Sequence, residues 1–306
     1  MAISHIIRNF RKHPRYTLMR AVARFENVRQ LVTGARSRFH AGGTRRLLAD
    51  CEQRMEKSIF KDADLHRIVA DLQQNGVAFG LRLPDAMVED LCDFARNEPC
   101  YAFRNPDAGF YLADRENAEE RLNKPILLAQ YFNTSARSSA VASLRDDPAL
   151  LWIAASFLGS IPRFVGANMW WTFPVNASDE DRHKHAHFFH RDVDDFRFFK
   201  FFFYLTDVPA GDGGHVCVAT SHNAQELDMK RLRRFSDAEV LESYGTQNVI
   251  EISGKAGTGF AENTLCIHKG RTPTDRPRLL LQLQYALFDY GVMNDEKNQR
   301  SLRMIT

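Results

Sequence analysis

Over residues 163–173 apolar and polar positions alternate: Val165, Ala167, Met169 and Trp171 share one parity, and Asn168, Trp170 and Thr172 the other. A two-residue period is that of a half-buried strand. Apolar runs at 198–205, 215–219, 249–252, 265–268 and 279–287 follow, and turn signals separate them at Gly211-Asp212-Gly213-Gly214, Ser253-Gly254 and Pro273 to Pro277. The first half of the chain keeps a helical period instead. Leu65, Ile68, Val69 and Leu72 predict a helix over about 62–74, stopped by Asn75-Gly76, after which 77–81 reads as a short strand. Pro84 opens a helix carrying Met87, Val88, Leu91 and Phe94, and Asp147-Pro148 opens another that ends near Gly159. Residues 101–133 show no clean period and read as mostly loop, long enough for a lid or a substrate loop. Helices followed by about eight strands predict an α+β chain ending in an antiparallel jelly roll.

Near the N-terminus, Leu18, Val22, Phe25, Val28 and Val32 recur at steps of three or four, with Arg20, Arg24 and Asn27 opposite. The spacing predicts an amphipathic helix over 16–32, although Leu31 falls off the stripe and Arg29 on it. Charge sharpens this picture. The formal net charge is +3, but residues 1–50 hold eleven Lys and Arg against Glu26 and Asp50, a local +9 that leaves −6 for the rest. A basic helical extension over 1–56 is therefore expected on a mildly acidic domain over 57–306. Such a helix suits packing on its own domain, peripheral contact with an anionic membrane through 16–32, or contact with nucleic acid phosphates. Nucleic acid is the weakest of these, because the body is acidic and no reader motif is present.

With 306 residues, 44% of them hydrophobic, the chain can bury a sizeable core. Its five cysteines are scattered without a CxxC pair, which suggests neither a disulfide framework nor a structural zinc site and fits a reducing, cytoplasmic compartment. Residues 1–10 lack the apolar run of a signal peptide. The most apolar stretch, 196–205, is broken by Arg197 and Lys200 and falls short of the ~20 residues a membrane span needs. Localisation at the inner membrane face is compatible with the basic helix but would be peripheral.

Chemistry concentrates between 183 and 192, where four histidines stand. On a strand, equal parity puts His190 and Asp192 on one face and sends His183, His185 and His187 to the other unless a bulge intervenes. A His-x-Asp pair answered by the distant His268 offers two imidazoles and one carboxylate, the facial set that suits non-haem Fe(II). Taken alone the three-residue pattern is weak; its setting adds weight. Phe189-His190-Arg191-Asp192 is followed by Lys200 to Val208, by Gly213-Gly214-His215 through Ser221-His222, and by His268-Lys269-Gly270 leading to Arg278. In order and spacing these blocks resemble the phytanoyl-CoA dioxygenase family of Fe(II)- and 2-oxoglutarate-dependent oxygenases, over roughly residues 62–288.

The resemblance implies a cupin-like double-stranded β-helix, preceded and flanked by helices, with iron held by His190, Asp192 and His268. It implies Arg278 as the clamp for the distal carboxylate of 2-oxoglutarate, a two-pronged contact that lysine does not reproduce. Arg276, of the same parity, is the competing candidate. Asn168, Trp170 and Thr172 stand where the family offers cosubstrate contacts, or are inward-facing core. Where a small hydroxyl residue often follows the distal histidine, this chain has Gly270, with Thr272 nearby. Lys200 interrupts an aromatic strand and either reaches a polar cavity or snorkels to the sheet edge; Ser221-His222 reads as a turn. The implied reaction consumes O2 and 2-oxoglutarate, with ascorbate as reductant in vitro, releases succinate and CO2, and hydroxylates a C–H bond of a small molecule or a lipid-linked saccharide. Retention of Asp192 favours a hydroxylase over a halogenase, in which a small residue makes room for halide. The rivals are a non-catalytic jelly-roll sensor or scaffold, and an oxygenase acting on nucleic acid.

Overall fold

The computed structural model describes residues 10–223, 227 and 232–305. Eleven strands are present among them: β1 Val77–Arg82, β2 Cys100–Ala102, β3 Gly109–Phe110, β4 Leu128–Gln130, β5 Arg163–Thr172, β6 Phe198–Tyr204, β7 His215–Val218, β8 Val249–Ile252, β9 Thr258–Glu262, β10 His268–Gly270 and β11 Arg278–Ala286. Eight form one sheet in the order β1-β9-β6-β11-β5-β4-β2-β3, and three form a second in the order β10-β7-β8. All the strand pairs are antiparallel. This is the jelly roll, with helices covering the large sheet.

Side-chain alternation on three central strands divides the molecule. Phe199, Phe201 and Phe203 of β6, Leu279, Leu281 and Leu283 of β11, and Ala167, Met169 and Trp171 of β5 belong to the core under the helices. The opposite parity, Phe202 and Tyr204, Leu280 and Trp170, packs between the two sheets with Cys217, Ile252, Phe260 and Cys266. Each fully buried Phe or Leu contributes on the order of 1.5–3 kcal/mol, so a one-residue slip would turn both sets to the wrong side.

The helix Pro148–Leu158 shows how the helical layer is fixed. Asp147 caps it by accepting from Ala149 N (2.9 Å) and Leu150 N (3.2 Å), and Gly159 ends it at φ 64°. Nine of its eleven residues are buried, because the long helix Glu26–Gln53 lies against one side and Leu65–Gln74 against another. Gly76, at φ 79°, closes the turn after Leu65–Gln74; a Cβ there would stand 2.2 Å from Cys266 Sγ.

Four local expectations fail. The helix expected over 16–32 is two helices, Pro14–Val22 and Glu26–Gln53, broken at residues 23–25. Arg29 explains the misplaced charge: it is buried and donates to the carbonyl of Ala23 (2.8 Å), satisfying the end of the first helix. Second, packing of the apolar stripe on its own domain, one of the alternatives for this helix, fails, since Leu18 is 60% and Phe25 49% exposed whereas Met19 and Ala23 are buried. Residues 101–133, expected to be mostly loop, contain the helix Arg115–Leu122 and strands β3 and β4, which extend the large sheet beyond β5. Strand β9 was not anticipated, and 265–267 precede β10 as a turn rather than a strand. No helix among the described residues is long and apolar enough to cross a membrane.

Candidate active site

A cavity of about 350 Å³ opens between the sheets, lined by the inward parity of β5, β6 and β11 (Asn168, Trp170, Lys200, Phe202, Arg278, Leu280, Gln282). Register aligns these residues in rows: Asn168 and Phe202 flank Gln282, Trp170 and Tyr204 flank Leu280, and Thr172 stands opposite Arg278. One wall is His190, Asp192 and His268.

His190 and His268 face each other in an isolated antiparallel bridge, with reciprocal backbone bonds of 3.0 and 2.9 Å. The Asp192 N–H donates to Thr264 O (2.9 Å), which ties the carboxylate to the turn before β10. Donor atoms of the three side chains lie within 4.8 Å of one another. Asp192 Oδ1 is 3.6 Å from His190 Nε2, and Asp192 Oδ2 is 3.5 Å from His268 Nε2. Each ring also has Nδ1 against a backbone carbonyl, Phe188 O at 3.0 Å and Cys266 O at 2.9 Å. Those contacts fix the Nδ1–H tautomer and leave both Nε2 lone pairs facing the carboxylate, the preparation a divalent cation requires.

Lys200 reaches this group rather than the sheet edge. Its Nζ stands 2.6 Å from Asp192 Oδ2 and 3.3 Å from Asp194 Oδ2. Burial alone would raise the Asp192 carboxyl, but Lys200 and the two imidazoles hold it well below the usual range. Asp194 goes the other way, raised by burial and by the neighbouring Asp192 charge despite Lys200. The ionised partner facing the histidines is thus Asp192. Asp194 also accepts from Gln284 Nε2 and from Tyr16 Oη, each at 3.3 Å, so the helix Pro14–Val22 touches the network behind the site. Behind His268, buried Glu262 accepts from His215 Nε2 at 2.6 Å, and the His215 ring stacks on His268 at 5.6 Å. Burial lowers the His268 pKa, yet Glu262 and Asp192 outweigh it and the net shift is upward. His190 is held neutral by burial and by His268, well below the usual value.

Arg278 is 3% exposed and points into the cavity. Its Nη1 donates to Gly213 O and its Nη2 to Thr172 Oγ1 (3.3 Å), while Nε is buried without a partner. No carboxylate pairs with it among the described residues. Arg276, the rival, is exposed and pairs with Asp275 at 3.5 Å, outside the cavity. Of the other predicted residues, Asn168 accepts from Gln130 Nε2 (3.2 Å), Trp170 lines the cavity, and Thr172 touches Arg278 rather than the open space. Gly270 leaves room beside the guanidinium: a Cβ there would stand 3.4 Å from Arg278 Nη2.

The parity reasoning for 183–192 needs correction. Residues Asp179–Lys184 are helical, and no strand spans the segment. His185 and His187 therefore line the same cavity as His190. Burial lowers their pKa values to about 4 and about 3, with Arg104 and Arg278 the leading charges that add to the effect. His187 Nδ1 lies 2.6 Å from Thr272 Oγ1. Reading the sequence also missed Arg104, Gln130, Gln282, Met293 and Lys297 in the lining. Gln282 had a signal, being polar in a leucine run and of the same parity as Arg278; Arg104 and Lys297 had none, because they arrive on irregular chain.

No protein-family model matches the sequence, and neither does any curated protein. Solved structures do match in fold. The non-haem α-ketoglutarate-dependent epimerase SnoN from nogalamycin biosynthesis superposes with a TM-score of 0.50 at 15% identity, over 72% of this chain and 82% of its own. HygX from Streptomyces hygroscopicus, solved with nickel and 2-oxoglutarate bound, gives 0.50 at 15% identity, over 72% of this chain and 85% of its own. At that identity the likeness is one of fold.

Proposed function

We propose that this protein is an Fe(II)- and 2-oxoglutarate-dependent dioxygenase of the phytanoyl-CoA dioxygenase type. The observation that carries the proposal is the juxtaposition, in one cavity, of three convergent metal donors and a buried guanidinium without a carboxylate partner. His190 Nε2, His268 Nε2 and Asp192 would hold the ion, a donor set that suits Fe(II) and leaves positions open. Arg278, steadied by Gly213 O and Thr172, would take the distal carboxylate of 2-oxoglutarate. HygX, similar in fold, was solved with nickel and 2-oxoglutarate bound, which supports this assignment.

Bound Fe(II), 2-oxoglutarate and O2 would supply the oxidation of a substrate C–H bond, with release of succinate and CO2. The chain's own residues do the rest. Lys200 holds one oxygen of Asp192 at 2.6 Å, which orients the carboxylate and keeps it ionised. Trp170, Phe202 and Leu280, with Phe132, Val292 and Met293, form the apolar part of the wall and exclude water. With a carboxylate at position 192 the protein fills that metal position itself, which favours hydroxylation over halogenation.

The N-terminal region, residues 1–56 against a catalytic domain over 57–306, reads as a docking surface for an anionic membrane. Leu31 and Phe39, 73% and 84% exposed, lie on one face of the helix Glu26–Gln53 together with exposed Arg38, Arg45 and Arg46. Apolar side chains flanked by arginines suit shallow insertion among acidic headgroups. A lipid-linked saccharide would then be presented to the cavity, alongside soluble small molecules as the other substrate class.

The test is succinate release with Fe(II), 2-oxoglutarate and ascorbate across a substrate panel, together with metal binding by His190→Ala and Asp192→Ala. Loss of Fe(II) binding in both variants is expected. Wild-type protein that binds no Fe(II), or variants that bind it equally well, would overturn the assignment.

A further inference from the structure

We infer that the mouth of the cavity is an oxyanion subsite, and that the substrate carries a phosphate or carboxylate group gripped by Arg104 and Arg234. The inference rests on the oxygenase reading above and adds the substrate class. Among the residues lining the cavity Asp192 supplies the carboxylate, against the four cations Arg104, Lys200, Arg278 and Lys297. Lys200 is matched by Asp192 and Asp194, and Arg278 is reserved for the cosubstrate. A divalent ion and a doubly charged cosubstrate neutralise each other. Arg104 and Lys297 are left over, and both are solvent-accessible lining residues.

Arg104 is delivered there at conformational expense. It follows β2, and both Phe103 and Arg104 adopt left-handed backbone, at φ 55° and 60°, an unusual pair for residues other than glycine. The two residues are locked by Phe103 N to Leu128 O (2.8 Å) and Arg104 N to Tyr101 O (3.3 Å). The guanidinium is carried over the Trp170 ring, 5.8 Å from its centroid. No hydrogen bond or ion pair engages the Arg104 side chain among the described residues. Arg104 keeps solvent access while lining the cavity, and desolvation by the surrounding protein lowers its pKa. From the other side, Phe235 N donates to Phe189 O (2.8 Å), which draws Arg234 alongside the His190 segment. Arg234 is near enough to Asp192 and Arg104 for their charges to act on one another, and its side chain likewise has no carboxylate partner among the described residues. Lys297, also in the lining, donates to Glu296 O (3.0 Å). Arg104 lines the cavity and Arg234 lies next to the His190 segment, and two uncompensated forks so placed match the oxygens of a phosphate or carboxylate.

Calorimetry on the full-length protein loaded with Mn(II) and 2-oxoglutarate tests this, with glycerol 3-phosphate as probe and glycerol as its neutral match. The phosphate should bind, weaken as salt rises, and lose about tenfold or more in affinity in Arg104→Gln and in Arg234→Gln. Arg104→Lys, which keeps charge without the fork, should lose less. The affinity for 2-oxoglutarate should stay within about twofold in all three, because Arg278 is untouched. Binding of glycerol as tight as that of the phosphate, or equal phosphate affinity in the glutamine variants, overturns the subsite while leaving the oxygenase reading intact. Wild-type protein that binds Mn(II) but not 2-oxoglutarate overturns both.

Discussion

Lys200→Met removes one cation from between two buried carboxylates and exposes the energetic core of the site. In the wild type Nζ bridges Asp192 Oδ2 at 2.6 Å and Asp194 Oδ2 at 3.3 Å, with the lysine side chain 6% and Asp194 5% exposed. Breaking a buried ion pair by deleting one partner costs about 3–5 kcal/mol, because the other charge stays in a poorly solvating interior. Methionine fills most of the lysine volume, so the cost is electrostatic rather than a cavity. For a domain of this size one kcal/mol corresponds to about 2 °C, and the midpoint should fall by about 6–10 °C. A divalent cation bound by His190, Asp192 and His268 would neutralise the same carboxylate. The rise in midpoint on adding Mn(II) should therefore be larger in the variant than in the wild type. Thermal unfolding followed by fluorescence, with and without Mn(II), measures both quantities. A midpoint within 2 °C of wild type, or a metal-induced rise no larger than that of the wild type, would refute the placement of Asp192 as the charge shared by lysine and metal.

Other outcomes follow from the same geometry. Because Glu262 and Asp192 raise the His268 pKa, the metal-free protein holds a proton there below that pKa, and a divalent ion must displace it. Mn(II) affinity should fall about tenfold per pH unit on the acid side, with about one proton released per ion because His190 is already neutral. Calorimetry in buffers of different protonation heat counts that proton, and a count of zero contradicts the assignment. Arg278→Lys keeps the charge but loses the two-pronged contact, so 2-oxoglutarate affinity in the presence of Mn(II) should drop by about 100-fold while Mn(II) affinity holds. Flotation with anionic vesicles should be lost in Leu31→Asp/Phe39→Asp and retained with Arg121→Gln as a control; wild-type protein that ignores anionic vesicles removes the membrane reading.

Local pattern carried much of this molecule. The alternation along β5, β6 and β11 encoded which side chains meet helices and which meet the second sheet, because the strand period leaves only two faces. His190, Asp192, His268 and Arg278 could be singled out from type and order, and the fold brings their side chains into one cavity. Periodicity failed where chain is irregular. Residues 179–188 are a helix and irregular chain, so parity had no meaning there, and His185 and His187 joined the wall they were expected to avoid. The break after Val22 left no proline or glycine signal, since it is held by Arg29 reaching back to Ala23 O.

Sequence by itself determined the jelly roll, the candidate donors and the basic N-terminal region. Tertiary structure alone decided that Lys200 locks Asp192, that Tyr16 reaches Asp194 from 178 residues away, and that Arg104 stands unpaired over Trp170. The reason is physical: a period records which face of an element is apolar, whereas the partner of a buried charge is set by whichever distant segment the packed sheets bring within a few ångströms.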